Sequence, residues 1–106
     1  MILFLRDRMN RTGRPVFSRA ELSRILSVYG DRVKRGEWRD YAIDSLADMA
    51  VFSVFRSTHE APIYTIAKIP GRSILKSPQY VVSAGRETLK EGPSLDSVLA
   101  VFEGRA

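Results

Sequence analysis

Three aspartates at regular spacing are the first residues of this chain whose type and pattern could do chemistry. Asp40, Asp44 and Asp48 recur every four residues, and on a helix this spacing would place three carboxylates on one face. Carboxylate oxygens are ligands for hard divalent cations. No histidine joins the row, and carboxylates in this arrangement are typical of a solvated helix face. We therefore expect no metal site here.

Few nucleophile-and-base pairs are available in the sequence. The chain has no cysteine and one histidine, His59, so the common pairs reduce to a serine with His59. No serine lies in a recognisable nucleophile motif, and "PGRS" lacks the spaced glycines of a phosphate-binding loop. Two carboxylate pairs remain, Glu37 with Asp40 and Asp44 with Asp48, but nothing indicates a dry pocket around them. We therefore expect no enzyme activity, no catalytic residue and no cofactor.

The only tryptophan lies in the segment "GEWRDYAI", residues 36–43, directly after a basic stretch. Large aromatic side chains prefer packed positions. We interpret Trp38, Arg39, Asp40 and Tyr41 as a structural corner in which Trp38 covers the end of the core. The alternative is that these four residues form a binding site. The sequence also leaves open whether residues 40–50 form a strand and turn or a helix.

Positive charge is concentrated in the first forty residues. Residues 1–40 hold 10 Lys or Arg against 5 Asp or Glu, and residues 41–106 hold 7 against 7, which accounts for the net charge of +5. Such an asymmetry is typical of proteins that bind phosphates or acidic surfaces. The candidate partner-binding residues here lie in a predicted basic tail, residues 1–15: Arg6, Arg8, Arg11 and Arg14.

A helix is predicted between Ser18 and Gly36. Ser18 is a good N-cap, and Glu21 can complete a capping box with it. Gly36 supplies a C-terminal stop, whereas Gly30 indicates either the close approach of another element or a bend. The apolar residues at three- and four-residue steps are expected to face the core: Leu22, Ile25, Leu26, Tyr29 and Val33.

The remaining elements are mostly strands. Segments rich in β-branched and aromatic residues predict antiparallel strands at "AVFSVFR", "APIYTIAKI" and "QYVVSA". The segment "GPSLDSVLAVF" predicts a terminal helix capped by Ser94. The expected fold is α+β, with an N-terminal helix, an antiparallel sheet of three to four strands and a C-terminal helix. It forms a single domain over residues 16–106.

Several segments resemble a known family. "VFSRAEL", "GEWRDYAID", "AVFSVFR", "PIYTIAK" and "LKEGPSLDSVL" are similar to small alphaproteobacterial proteins grouped as the domain-of-unknown-function family 2794. The resemblance covers about Val16 to Phe102 and implies a bacterial cytoplasmic protein with no assigned activity. It carries over no functional residue. The segment "PGRSILKSP" and the first fifteen residues show no match.

Two functions are expected from these features. The first is a non-catalytic protein-interaction or regulatory module, an adaptor or a homodimer, that uses the uncovered sheet face or the pair Ile74 and Leu75. The alternative is a nucleic-acid-binding protein that uses the basic tail and the first helix. No membrane partner is expected, because the apolar run "MILFL" is far shorter than a membrane span. The expected location is the cytoplasm.

Overall fold

A five-stranded antiparallel sheet with one helix before it and one after it makes up the structure, a computed structural model that describes residues 13–57, 60–71 and 77–104. The strands lie in the sheet in chain order. The predicted α+β class and order of elements are confirmed, whereas the predicted number of strands, three to four, is wrong. The elements are α1 (Arg19–Lys34), β1 (Asp40–Ser45), β2 (Ala50–Phe55), β3 (Tyr64–Ile69), β4 (Gln79–Ala84), β5 (Glu87–Gly92), α2 (Leu95–Leu99) and a 3-10 turn (Ala100–Gly104).

Helix α1 has the predicted caps at both ends. The Ser18 hydroxyl accepts from the Glu21 N–H at 3.1 Å, and the Glu21 carboxylate accepts from the Ser18 N–H at 2.7 Å. These two bonds satisfy helix donors that would otherwise lack partners. At the other end Gly36 has a φ of 76°, and its N–H donates to Val33 while the N–H of Glu37 donates to Arg32. This Schellman arrangement turns the chain sharply toward β1.

The buried face of α1 is rotated from the predicted one. Ile25 is fully buried as expected, but Leu26 and Val33 are 37% and 40% exposed. Arg32 is buried instead, and its Nη1 donates to Glu37 Oε2 at 2.9 Å. A buried guanidinium is tolerated when it is paired. Arg32 therefore lies beside the core, at a position that the apolar spacing of the helix does not predict to be buried.

Residues 40–50 form a strand and a turn, so the helical alternative for this segment is wrong. The N–H of Leu46 donates to the carbonyl of Met49 at 2.8 Å and closes the β1–β2 hairpin. Tyr41 and Ile43 lie opposite Val54 and Phe52 of β2. Opposite residues of an antiparallel pair share a face, so these two side chains point to the helix side of the sheet.

Strand β5 is absent from the sequence prediction because its residues, "ETLKEG", are mostly polar and exposed. The local signal is the turn before it. Ala84 pairs with Glu87 across the two residues Gly85 and Arg86, and Gly85 has a φ of 60°. Glycine at the first position of a two-residue hairpin loop is typical of the type II′ turn. The turn at Gly85 therefore predicts the strand more clearly than the residue composition of β5 does.

The core lies between the helices and one face of the sheet. The register places Phe52, Ile66 and Val82 side by side on this face, and all three are fully buried with Ile25 of α1 and Val98 of α2. On the opposite face the same strands place other residues side by side: Val51, Ala67 and Val81. Both helices therefore cover the same face, and no element of the described residues covers the other.

A buried ion pair holds the start of α1 over strands β3 and β4. Lys68 is 3% exposed, and its Nζ donates to Glu21 Oε1 at 2.7 Å and to the Val16 carbonyl at 3.0 Å. The Tyr80 hydroxyl donates to Glu21 Oε2. Glu21 is therefore both the capping residue of α1 and the counter-ion of Lys68. Every buried side-chain nitrogen and oxygen of the described residues has a hydrogen-bond partner.

The carboxyl of Glu21 is held in its charged form. Burial raises its pKa, but the hydrogen bonds from Lys68, Tyr80 and Ser18 and the charge of Lys68 together outweigh burial, so its pKa is lowered from the ordinary value of 4.5. Hydrogen bonds to a carboxylate favour ionisation. The ion pair is therefore present at neutral pH.

We expect Gly30→Ala to raise the free energy of unfolding by about 0.8–1 kcal/mol, the difference in helix propensity between the two residues. Helix α1 runs through Gly30 without interruption, and apart from the adjacent residues and the backbone of the helix itself no described atom lies within 4 Å of a Cβ built there. Denaturant titration measures the gain. Gly36→Ala is the control and should lose stability, since Gly36 has a φ of 76°. Unchanged or lower stability of Gly30→Ala would show that this helix surface is not open.

We expect Glu21→Gln to lower the free energy of unfolding by about 3 kcal/mol at neutral pH, because it leaves the Lys68 ammonium buried without a counter-ion. A carboxyl with a lowered folded pKa stabilises the fold above its unfolded pKa, and this contribution is lost as the pH falls through the folded pKa. The gap between the native chain and Glu21→Gln should therefore shrink below about pH 4.5.

Denaturant titrations at several pH values measure this gap. Glu87→Gln is the control because Glu87 is an exposed carboxylate on β5, and it should change stability by less than about 0.5 kcal/mol. A gap for Glu21→Gln that stays constant as the pH falls would contradict the assigned ion pair.

Candidate functional site beside the edge strand

Trp38 lies inside the core. It is 3% exposed, and its ring contacts those of Tyr29, Tyr64 and Phe102 at centroid distances of 6.1, 5.9 and 5.1 Å. These contacts join α1, β3 and the C-terminal 3-10 turn around one aromatic side chain. Trp38 therefore closes one end of the core, and the "GEWRDYAI" segment can meet a partner only through its other residues.

Tyr41 joins this aromatic cluster to the surface. Its ring stacks on Phe52 at 5.0 Å and meets the edge of Tyr29 at 4.9 Å, yet 40% of Tyr41 remains exposed. Burial raises the pKa of Tyr29, and Asp40 and Tyr41 raise it further, so its hydroxyl stays neutral at physiological pH. Arg39 and Asp40 are exposed.

Most of the large exposed hydrophobic residues of the described chain lie on the helix side. The exposed fractions of all of them run from 37% to 45%. Two lie on α1 and two on the helix side of β1, and we call these four the apolar flank: Leu26, Val33, Tyr41 and Ile43. Leu46, in the turn after β1, follows the alternation of the strand to the open face.

The apolar flank extends from β1 onto α1. The sharp turn at Gly36 leads from the helix into β1, and the contact between Tyr29 and Tyr41 joins the two elements. Leu26 and Val33 lie three and four residues from Tyr29, on its side of the helix. A shallow depression lined by Arg19, Leu22, Ser23 and Leu26 extends this surface toward the start of α1.

Strand β1 also offers backbone hydrogen-bonding groups. Among the described strands it pairs only with β2. Leu46 and Met49 are a hydrogen-bonded pair, and such pairs alternate along an antiparallel ladder, so the backbone groups of Tyr41, Ile43 and Ser45 point outward. Two side chains partly cap this edge. Asp40 Oδ1 accepts from the Tyr41 N–H at 2.8 Å, and Arg14 Nη1 donates to the Ser45 carbonyl at 3.2 Å.

The open face of the sheet is the second candidate surface. Its central residues, Val51, Ala67 and Val81, are half-buried by their neighbours. Asp44 on β1 and Glu91 on β5 continue the same row at its two ends. This face is therefore narrower and less exposed in its apolar part than the apolar flank.

Polar residues elsewhere largely neutralise one another. A cleft between α1 and α2 is lined by charged residues that include Arg24, Asp96 and Glu103, and Arg24 pairs with Asp96 at 2.6 Å. Glu37, one of the carboxylates considered above for acid–base chemistry, forms an ion pair with Arg32. The described residues contain no group of three or more histidines or carboxylates placed to hold a metal ion. Asp40 and Asp44 lie on the open face of β1.

The partner-binding residues predicted from sequence fall into two groups. Arg14 is exposed and lies at the end of β1, as described above, and its role in binding stays a prediction. The others lie outside the described residues: Arg6, Arg8, Arg11, Ile74 and Leu75.

The apolar flank itself was missed by the sequence reasoning. Leu26 and Val33 belong to a regular apolar stripe, which hid the fact that the helix turns them away from the core. The stripe from Leu22 to Val33 has the ordinary width of a core-facing stripe, so helical spacing gave no signal of this rotation. Tyr41 and Ile43 lie in the segment whose conformation, strand and turn or helix, the sequence left open.

The fold and the apolar flank define a small α+β protein with both helices on one sheet face and an apolar strip at one edge. The family model described as "Protein of unknown function (DUF2794)" matches residues 16–99. This match covers most of the chain, so the chain belongs to that family, as its segments predicted. No curated protein and no solved structure gives a significant match.

In the part of the chain that the structure describes, no helix has the length and apolar character needed to cross a membrane.

We expect Trp38→Ala to lower the free energy of unfolding by about 3–5 kcal/mol, because it removes a buried ring that three other aromatic rings contact. Arg39→Ala, at the exposed neighbouring position, is the matched control and should change stability by less than about 0.5 kcal/mol. Thermal and denaturant unfolding measure both changes. If Trp38→Ala unfolded like the native chain, its packing role would be refuted.

Proposed function

We propose that this protein is a non-catalytic protein-binding module whose docking surface is the apolar flank. The observation that carries the proposal is the clustering of its exposed hydrophobic residues. Isolated exposed hydrophobic residues are normal on a monomeric protein, whereas a contiguous apolar patch marks an interaction site. Here most of the large exposed hydrophobic residues lie on one helix and on the helix side of the edge strand that contacts it.

The edge of β1 supports the same proposal. An extended segment that pairs with an open strand gains backbone hydrogen bonds, while adjacent apolar pockets take its side chains. At β1 the outward backbone groups of Ile43 lie directly beside the exposed side chains of Tyr41 and Ile43. A partner that reaches this edge would therefore gain hydrogen bonds and apolar contact together.

A protein partner is favoured over nucleic acid by the state of the basic residues. Several cationic side chains of the helix already pair with carboxylates, at N–O distances of 2.6 to 3.4 Å: Arg24 with Asp96, Arg32 with Glu37 and Arg35 with Asp31. A phosphate would have to compete with these carboxylates, and binding to phosphates supplies most of the affinity of a non-specific nucleic-acid protein. Nucleic-acid binding through the basic tail is the alternative that the test must separate.

The cellular setting is part of this proposal. The resemblance of the sequence segments implies a bacterial protein of the cytoplasm, and we place the binding function there.

A photo-crosslinking experiment tests the docking surface. Benzoylphenylalanine is placed at position 43 of the full chain in its native host, and at position 88 in a matched control. Ile43 and Thr88 are both exposed residues of edge strands, on β1 and β5 respectively. We expect light-dependent protein adducts from position 43 and none from position 88, because only the β1 edge adjoins the apolar flank.

Nuclease treatment before analysis should leave these adducts unchanged in mass and amount. Adducts that disappear with nuclease would favour the nucleic-acid alternative. The absence of any protein adduct at position 43 would refute the apolar flank as the docking surface.

A further inference from the structure

The outer edge of β1 carries opposite charges at its two ends. At one end the Asp40 carboxylate accepts from the Tyr41 N–H, and at the other the Arg14 guanidinium donates to the Ser45 carbonyl. Ile43 lies midway between Tyr41 and Ser45, with its backbone groups directed outward and its side chain 44% exposed. The outward hydrogen-bonding groups of Tyr41 and Ser45 therefore lie at equal distances on either side of Ile43. The charged side chains at the two ends of the edge have opposite signs.

A twofold axis through this edge would exploit both properties. With the axis perpendicular to the sheet at Ile43, two β1 strands meet antiparallel, and the helices of both copies stay on the same face. Ile43 then lies opposite Ile43 of the second copy, and Tyr41 lies opposite Ser45 of the second copy. These are the residues whose backbone groups point outward, so the opposing residues form hydrogen-bonded pairs.

The same register brings together the charged groups that cap the edge. Because Tyr41 meets Ser45 of the second copy, Asp40 comes beside Arg14 of that copy, and the contact occurs twice by symmetry. The Tyr41 N–H can then donate to the Ser45 carbonyl of the second copy while the two caps pair with each other. Within one chain, by contrast, Asp40 and Ser45 lie about 16 Å apart along the strand.

A neighbouring register is disfavoured by charge. If the axis passed through Ala42, Asp40 would lie opposite Asp44 of the second copy, twice, on the open face. Like charges directly opposite each other destabilise a strand pair. With the axis at Ile43, Asp44 lies opposite Ala42 instead, so this repulsion is absent.

The apolar flank is also completed by this arrangement. On the helix side of the joined sheet, Tyr41 and Ile43 of both copies form one apolar surface. Leu26 and Val33 of each copy flank this surface. The patch that is exposed on one chain thus faces its own equivalent, as an isologous interface requires.

We propose that the partner on the apolar flank is a second copy of this chain, joined β1 to β1 about Ile43, so that two five-stranded sheets become one continuous sheet. This inference rests on the proposed function and names the partner that the docking surface takes.

Sedimentation of the purified full chain over a concentration series, from about 1 μM to about 500 μM, tests the inference. We expect the average mass to rise from 12.0 kDa toward twice that value. Ile43→Asp places two carboxylates opposite each other at the axis, and it should remain at monomer mass throughout. Thr88→Asp makes the same change of charge on the other edge strand and should associate like the native chain.

Circular dichroism must first show that both variants keep the native fold. A native chain that stays at 12.0 kDa at every concentration would overturn the second copy as partner. So would equal loss of association in Ile43→Asp and Thr88→Asp, since that would place the contact elsewhere.

Charge exchange tests the register. Asp40→Arg alone and Arg14→Asp alone should each weaken association about tenfold, because each places two like-charged pairs across the axis. The double variant should recover most of the loss. Recovery can arise only between copies, since the Arg14 guanidinium lies at Ser45, about 16 Å along the strand from Asp40 of the same copy. A double variant as weak as the sum of the single changes would refute this register.

The two proposals can fail separately. If the purified chain is monomeric while position 43 crosslinks to a different protein, the second copy is refuted and the docking surface stands. If position 43 gives no protein adduct of any kind, both are refuted.

Discussion

The buried contact of Glu21 with Lys68 and Tyr80 is the constraint on which the rest of the structure depends. A lysine on the helix side of a central strand would be costly without a counter-ion, and Glu21 supplies it from the first turn of α1. The same carboxylate caps the helix and accepts from Tyr80 on the next strand. One side chain therefore fixes where the helix begins, which strands it covers and how its buried face is turned.

Because α1 is held over β3 and β4 at its start, it covers the first strand only in part, through the contact of Tyr29 with Tyr41. The helix-side residues of β1, Tyr41 and Ile43, are left 40% and 44% exposed, beside apolar residues of the helix that also miss the core. The two edges of the sheet consequently differ. Strand β5 presents mainly polar and charged side chains, which protect an edge from pairing, whereas β1 presents an apolar strip with capped ends. Folding stability and the docking surface thus share one cause: the position that the buried ion pair gives to the helix.

Local signals predicted the helices well, since the capping box at Ser18 and the turn at Gly36 depend on neighbouring residues alone. The strands β2, β3 and β4 followed from their composition for the same reason. Contacts between distant residues could not be predicted in this way. From the sequence, Lys68 is expected to be an exposed residue of an amphipathic strand. No neighbouring residue indicates that it is buried in a contact with Glu21, 47 positions away. The exposure of Leu26 and Val33 follows from that same distant contact, so the apolar flank could not be found from helical spacing.

Hydrogen exchange at the backbone amide of Ile43 tests the central claim, that the protein associates through the β1 edge, more directly than any other measurement. This amide points away from β2 and is exposed in a single chain. We expect its exchange to slow by about tenfold or more when the native chain is concentrated, while the amides of β5 exchange at an unchanged rate. Exchange of Ile43 at the same rate in dilute and concentrated protein would contradict the account.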